Sequence, residues 1–145
     1  MGSIKIKRLA ENDLNTVITL WKEAGLKIKP FGRDGMERLV KEIGFKSTFF
    51  LGAFDGERLV GVALANHEGR KGWINRLAVL PKYRRSGVGR LLVSAAEEAF
   101  RAEGISIFCA LVEEWNEESL SFFTKSGYTL HRDIFYLSKR DREEE

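Results

Sequence analysis

Cysteine occurs once in these 145 residues, proline and histidine twice each, and glutamine not at all. The lone Cys109 excludes an internal disulfide and, set in an apolar run, reads as a buried structural thiol suited to a reducing compartment. Long apolar runs are missing too. The charge-free stretches 59–67 and 104–112 fall far short of the roughly 20 residues a membrane span needs. Lys5, Lys7 and Arg8 interrupt the N-terminus before a signal-peptide core can form. The expectation is a cytoplasmic protein with no membrane contact and no metal.

What is present is an ordinary soluble mixture. Hydrophobic residues make up 43% and charged residues 31%, enough for one buried core and against global disorder. The length suits one domain. We expect residues 1–138 to form it and the charged segment 139–145 to be a tail. Net charge is only +3, which permits an anionic partner without demanding nucleic acid. No aromatic-interleaved basic surface argues for nucleic acid. The basic residues Lys82, Arg84, Arg85 and Arg90 concentrate in one glycine-containing window.

Periodicity predicts the element order β-α-α-β-β-β-α-β-α-β(β), a single-domain α/β fold around a mixed sheet. Residues 4–9 alternate as a strand. Asn12 or Asp13 can cap a helix striped by Leu14, Val17, Ile18 and Trp21, and Asp34 can cap a second carrying Met36, Leu39, Val40 and Ile43. Strands 48–54 and 59–66 join at Asp55-Gly56, a hairpin signal, and 72–79 follows. Val88, Leu91, Leu92, Ala95, Ala96 and Ala99 mark the clearest helix. Residues 105–112 are apolar on both faces and read as a central strand, parallel to 72–79 after a right-handed crossover. Asn116 can cap a last helix that Gly127 closes. One or two short strands are expected within 128–137.

The turn between strand 72–79 and the long helix carries the chemistry. Gly87 and Gly89 let backbone approach a ligand, and the first amides of a helix lack partners of their own. Those donors, the helix dipole, Arg84 and Arg85 suit a diphosphate. A dinucleotide fingerprint would need a small residue where Leu92 stands, and a Walker loop would end in Gly-Lys-Ser/Thr. Arg84-x-x-Gly87-x-Gly89, preceded by Leu77-Ala-Val79, resembles the acetyl-CoA motif of the GNAT N-acetyltransferases. Asn116-x-x-Ser119-x-x-Phe122-Phe123-x-Lys125-x-Gly127-Tyr128 resembles that family's second signature, and element order agrees over nearly the whole chain.

The resemblance implies a bulge in strand 72–79 and a splay between it and strand 105–112, with the pantetheine arm in the gap. Leu77, Ala78 and Val79 are then expected to meet that arm. Arg84, Arg85, Ser86, Gly87, Val88, Gly89 and Arg90 are expected around the diphosphate, and Asn116 and Phe123 on the pantetheine side. It further implies acetyl transfer from acetyl-CoA, the co-substrate, to a primary amine by direct attack in a ternary complex. Such a reaction needs a base or water relay and a polarising N–H, and can use an acid for the thiolate. The sequence departs from the family here. Phe123 stands where relatives keep a tyrosine acid, and Asn75 where many keep a glutamate base. Asn75 could orient a water, and Glu68 and Tyr136 are further catalytic candidates. His67, Glu113, Glu114, Tyr128 and His131 read more simply as turn or strand residues, and Trp115 as packing on the last helix. The loop 27–35, with Lys27, Lys29, Phe31 and Arg33, is expected to face the amine acceptor, and a homodimer is expected. A non-catalytic acyl-CoA-binding module is the alternative.

Overall fold

The computed structural model of the chain describes residues 3–142. Its sheet has five strands in the order β1-β2-β3-β4-β5: β1 Ile4–Arg8, β2 Thr48–Asp55, β3 Arg58–His67, β4 Gly72–Val79 and β5 Phe108–Ala110. Neighbours are antiparallel except β4 and β5, which run parallel. The helices are α1 Leu14–Glu23, α2 Met36–Ile43, α3 Val88–Ala102 and α4 Glu117–Lys125. The mixed α/β class and the parallel crossover through α3 are as the periodicity requires.

The helices form because each has one apolar stripe to bury. Val88, Leu92, Val93, Ala96 and Phe100 are the buried positions of α3, which packs across β1 to β4, while α1 lies against β3 and β4 and α2 against β2. Trp21, Phe50, Phe100, Leu14 and Leu39 anchor the core. A β-carbon on Gly72 would stand 2.4 Å from the Phe100 ring, so only glycine lets α3 settle this close.

A bulge breaks β4. Leu64 pairs with Arg76 and Ala65 with Ile74, which leaves Asn75 as the extra residue. Strand parity therefore inverts there. Gly72 faces Phe100 of α3, yet Arg76, an even number of residues on, places its guanidinium over the Trp21 ring of α1, 4.8 Å from its centroid.

Four expectations need correction. Asp34 does not cap α2, whose N-cap is Gly35; it is buried in an ion pair described below. Neither Asn12 nor Asp13 caps α1 through its side chain; Asp13 Oδ2 instead accepts from the Ala10 N–H at 2.8 Å. The segment 105–112 is not a central strand. Only Phe108–Ala110 is paired, and it is the edge of the sheet. Finally, among the described residues no strand follows α4. Tail residues 139–142 are exposed, and 143–145 lie outside the described residues.

Candidate functional site

Two local devices make the site: a gap in the sheet and a row of bare amides. Strands β4 and β5 pair only at Gly72–Phe108, Trp73–Cys109 and Ile74–Ala110. Past the bulge they part, so Arg76, Leu77, Ala78 and Val79 keep β3 as their only strand neighbour. Leu77, Ala78 and Val79 thus present a backbone edge to the gap.

The gap runs into the turn before α3. Leu91 N–H donating to Gly87 O at 3.0 Å is the first bond there; among the described residues the amides from Arg85 to Arg90 have no acceptor. Two left-handed residues aim them. Arg85 has φ 64° and is the only such residue besides glycines among the described residues, and Gly87 has φ 92°. A non-glycine in that region costs about 1–2 kcal/mol, and strain of this kind gathers at ligand sites. A β-carbon on Gly87 would meet no protein atom within 4 Å, so the space before these donors is open. Bare N–H groups at a helix start attract anions.

The turn is tied down from several sides. Arg84 donates Nε to Val79 O at 3.1 Å and an Nη to Ala24 O at 2.7 Å, so it straps the turn to β4 and α1 by directed bonds. Ser86 Oγ donates to Tyr83 O, and the Tyr83 hydroxyl donates to Asp55 Oδ2 at 2.6 Å, anchoring the 3-10 turn Pro81–Tyr83 to the β2–β3 hairpin. Beside the turn, Arg90, Val93, Ser94, Glu97, Lys125 and Ser126 line a hollow of about 260 Å³ between α3 and α4. Asn116 caps α4 by accepting from Ser119 N–H at 3.1 Å through Oδ1.

On the α1 side a buried clasp holds the loop 27–35. Arg76 donates to Asp34 Oδ2 at 2.7 Å and to Lys27 O at 3.3 Å, and Lys29 N–H donates to the same Asp34 oxygen at 2.7 Å. The Asp34 and Arg76 side chains are 4% and 12% exposed. Sequence reasoning missed this pair, although a lone arginine among the apolar residues of a strand is a signal that can be read. Next to the clasp, burial first and the Asp34 charge second hold the Glu42 carboxyl above its ordinary 4.5, with Arg76 pulling it back. The folded chain thus keeps this proton more tightly than the unfolded one. The stability it contributes is full below 4.5 and is lost as pH rises through the raised value. Glu42→Gln, which cannot ionise, is expected to melt higher than the parent at pH 7 and equally near pH 4, as calorimetric scans would show.

The candidate catalytic side chains scatter. Asn75 is exposed on the bulge. Glu68 is exposed at the β3–β4 turn, where its carboxylate accepts from Lys71 N–H at 2.6 Å, Arg70 N–H at 3.2 Å and Trp73 Nε1 at 3.3 Å. The Lys71 bond above all lowers its pKa, the wrong direction for a base. His67 accepts from Gly69 N–H through Nδ1 at 3.0 Å, with Nε2 3.5 Å from Glu103, and packs on Phe49 and Phe100. The Tyr128 hydroxyl donates to Glu97 Oε2 at 2.8 Å; burial, then that bond, pushes its pKa far up. Tyr136 and His131 lie on the exposed segment after α4, and Glu113 and Glu114 are exposed. Trp115 is exposed rather than packed on α4, a correction. Phe123 is 8% exposed, its ring edge-on to Phe122 and Tyr128 at 5.1 Å each.

The sequence profile of the acetyltransferase (GNAT) family matches residues 15–128. The chain belongs to the GNAT acetyltransferase family. Among solved structures it is similar to the PaiA N-acetyltransferase from Thermoplasma acidophilum, crystallised with coenzyme A, at 25% identity and TM-score 0.81, covering 92% of this chain and 94% of that one. An aminoglycoside acetyltransferase from an uncultured soil metagenomic sample, in complex with trehalose, shares 23% identity at TM-score 0.80, covering 96% and 97%. Aminoglycoside acetyltransferase AAC(6')-Iy, solved with a CoA-linked bisubstrate analogue, has the same GNAT architecture at 16% identity and TM-score 0.79, covering 96% and 99%.

Proposed function

We propose that this GNAT protein is a cytoplasmic, homodimeric N-acetyltransferase that moves the acetyl group of acetyl-CoA to a primary amine by direct attack in a ternary complex. The observation that carries the reading is the run of unpartnered amides from Arg85 to Arg90 leading into the gap between β4 and β5. Acetyl-CoA supplies the activated thioester. The amides of Arg85, Ser86, Gly87, Val88, Gly89 and Arg90 hold the diphosphate, with Arg84 fixing their turn. The backbone of Leu77, Ala78 and Val79 holds the pantetheine arm, helped by the Asn116 amide, and Phe123 backs it. A backbone N–H at this edge polarises the carbonyl. Asn75, lifted out by the bulge, orients a water that takes the ammonium proton. The thiolate leaves without an enzyme acid.

The acceptor is read from the loop 27–35. Lys27 and Arg33 are exposed there, as is Phe31. This basic surface suits an amine with an acidic or aromatic part and repels a polycation. The aminoglycosides named for several relatives are therefore a poor match despite the shared fold.

One set of observations favours the second reading, a non-catalytic acyl-CoA-binding module. Phe123 has no proton to give, Glu68 is a weakened base, and Tyr128 is committed to Glu97. Release of free CoA thiol across a panel of amines separates the two: steady release with an acidic or aromatic amine supports the enzyme, and binding with no release supports the module. Phe123→Tyr sharpens this test. A positioned acid is worth about 10²-fold or more in a site built around it; a site adapted to its absence is expected to gain only about a few-fold in turnover, with acetyl-CoA affinity unchanged in titration calorimetry. Loss of turnover in Tyr128→Phe would show instead that the acid has moved.

A further inference from the structure

Trp73 is a tryptophan that the core does not use. It lies in β4 and is half-buried, yet among the described residues it is not one of the apolar side chains packed against the core, as Trp21 is. No ring of its own chain stacks on it there. It is held all the same. Its Nε1–H donates to Glu68 Oε2 at 3.3 Å, and the other oxygen of that carboxylate accepts from the Lys71 and Arg70 N–H groups at 2.6 and 3.2 Å. The turn grips the carboxylate, and the carboxylate grips the indole. A ring fixed in advance spares its ligand the cost of ordering it.

Its place is beside the reacting centre. Asn66 pairs with Trp73 and Leu64 with Arg76. Those two β3 residues are two apart and share a face, so Trp73 and Arg76 share one as well, about 7 Å from each other. It is the face opposite the one on which Gly72 meets Phe100 of α3. The bulged Asn75 lies between them. Arg76 is committed to Asp34 and to the Trp21 ring, whereas the Trp73 ring has no such partner. One residue past Trp73, Ile74 and Ala110 make the last pair before β4 and β5 part.

We propose that Trp73, held by Glu68, is the wall on which an aromatic ring of the acceptor stacks, so that the enzyme selects arylalkylamines. The ring lies on Trp73 and the amine nitrogen at Asn75, joined by a short alkyl spacer. This rests on the N-acetyltransferase reading and deepens it by assigning the aromatic part of the acceptor to one side chain. An indole face accepts an offset ring or a ring edge. It also attracts cations, but Arg70 and Lys71 stand in the adjoining turn, and the Glu68 charge is spent on three N–H donors. A neutral ring is therefore favoured over a second ammonium. Glu68 is a positioning residue, acting through the indole rather than on the amine.

Phenethylamine and butylamine carry the same charge, so comparing them isolates the ring. Phenethylamine is expected to bind the CoA-loaded chain about tenfold tighter in titration calorimetry, with the same ratio in KM when thiol release is followed. Trp73→Ala is expected to raise the phenethylamine KM about tenfold and leave kcat and the butylamine KM nearly unchanged, the split that a binding contact produces. Trp73→Phe keeps a ring and should keep most of the preference. Glu68→Ala should erode the preference in the parent and have no effect on it in Trp73→Phe, which has no Nε1–H to hold; a Glu68 that merely supports the turn would act equally in both. Equal affinity and KM for the two amines, or a preference that survives Trp73→Ala, overturns the Trp73 assignment and leaves the N-acetyltransferase standing wherever thiol is released. A Trp73-dependent preference in binding, with no thiol released from any amine, overturns the enzyme and leaves the ring site. Neither binding nor release overturns both.

Discussion

Gly87→Val is expected to weaken acetyl-CoA binding by at least about 100-fold while lowering the melting temperature by only a few degrees. The fold itself has room for the side chain, since no protein atom lies within 4 Å of a β-carbon there. The stability cost is conformational, about 1–2 kcal/mol for an L-residue held at φ 92°, or a few degrees at this size. The binding cost is larger because the valine stands in front of the amides. Hydrogen bonds to a charged group are worth about 1.5–3 kcal/mol each, and losing two of them is a factor of about 100 or more. Titration calorimetry on the folded variant checks this, and unchanged affinity would remove the amide row from the site.

The largest stability effect is expected from Arg76→Ala. It leaves Asp34 at 4% exposure with the Lys29 amide for company and no counter-charge. Breaking a buried pair from one side costs about 3–5 kcal/mol, a fall of roughly 10 °C or more in melting temperature. Asp34→Asn keeps an acceptor for the Lys29 N–H and is expected to cost less. In a cycle with Arg76→Met the double variant should lose less than the sum of the singles. Additive losses would mean that the 2.7 Å contact carries no coupling. Because the clasp holds the loop 27–35, a variant that still folds should show a raised acceptor KM before any change in acetyl-CoA affinity.

The parts of this molecule that could be read from sequence are those whose cause is local. Asn116 caps α4 through a residue three positions away, and the Gly87 turn, the Asp55-Gly56 hairpin and the α3 stripe likewise declare themselves within a few residues. Asp34 shows the limit. An acidic residue just before a helix has an ordinary local explanation, and its partner sits 42 residues on. Strand β5 was misplaced for a related reason. Apolar residues on both faces say that a strand will be covered, but not whether a neighbour in the same chain covers it. Arg84 was legible as a charge near the turn, while its bonds to Val79 O and Ala24 O depend on how α1 lies against β4. The bulge came only with the resemblance, since a single extra residue leaves no mark in the composition of a strand.

That extra residue gives the two halves of β4 opposite sequence parity toward α3. Gly72 and Ile74 share the α3 side, and past Asn75 it is Leu77 and Val79 that do so. A chain that lost Asn75 would keep every remaining side chain on its present face, because Ile74 followed directly by Arg76 is the regular alternation of a strand. The core and the clasp on the loop 27–35 would survive, and what would go is the local bend and twist that the extra residue adds where β4 leaves β5. In a diverging lineage the spacing between Ile74 and Arg76 is therefore constrained by the gap in the sheet rather than by the packing of the core.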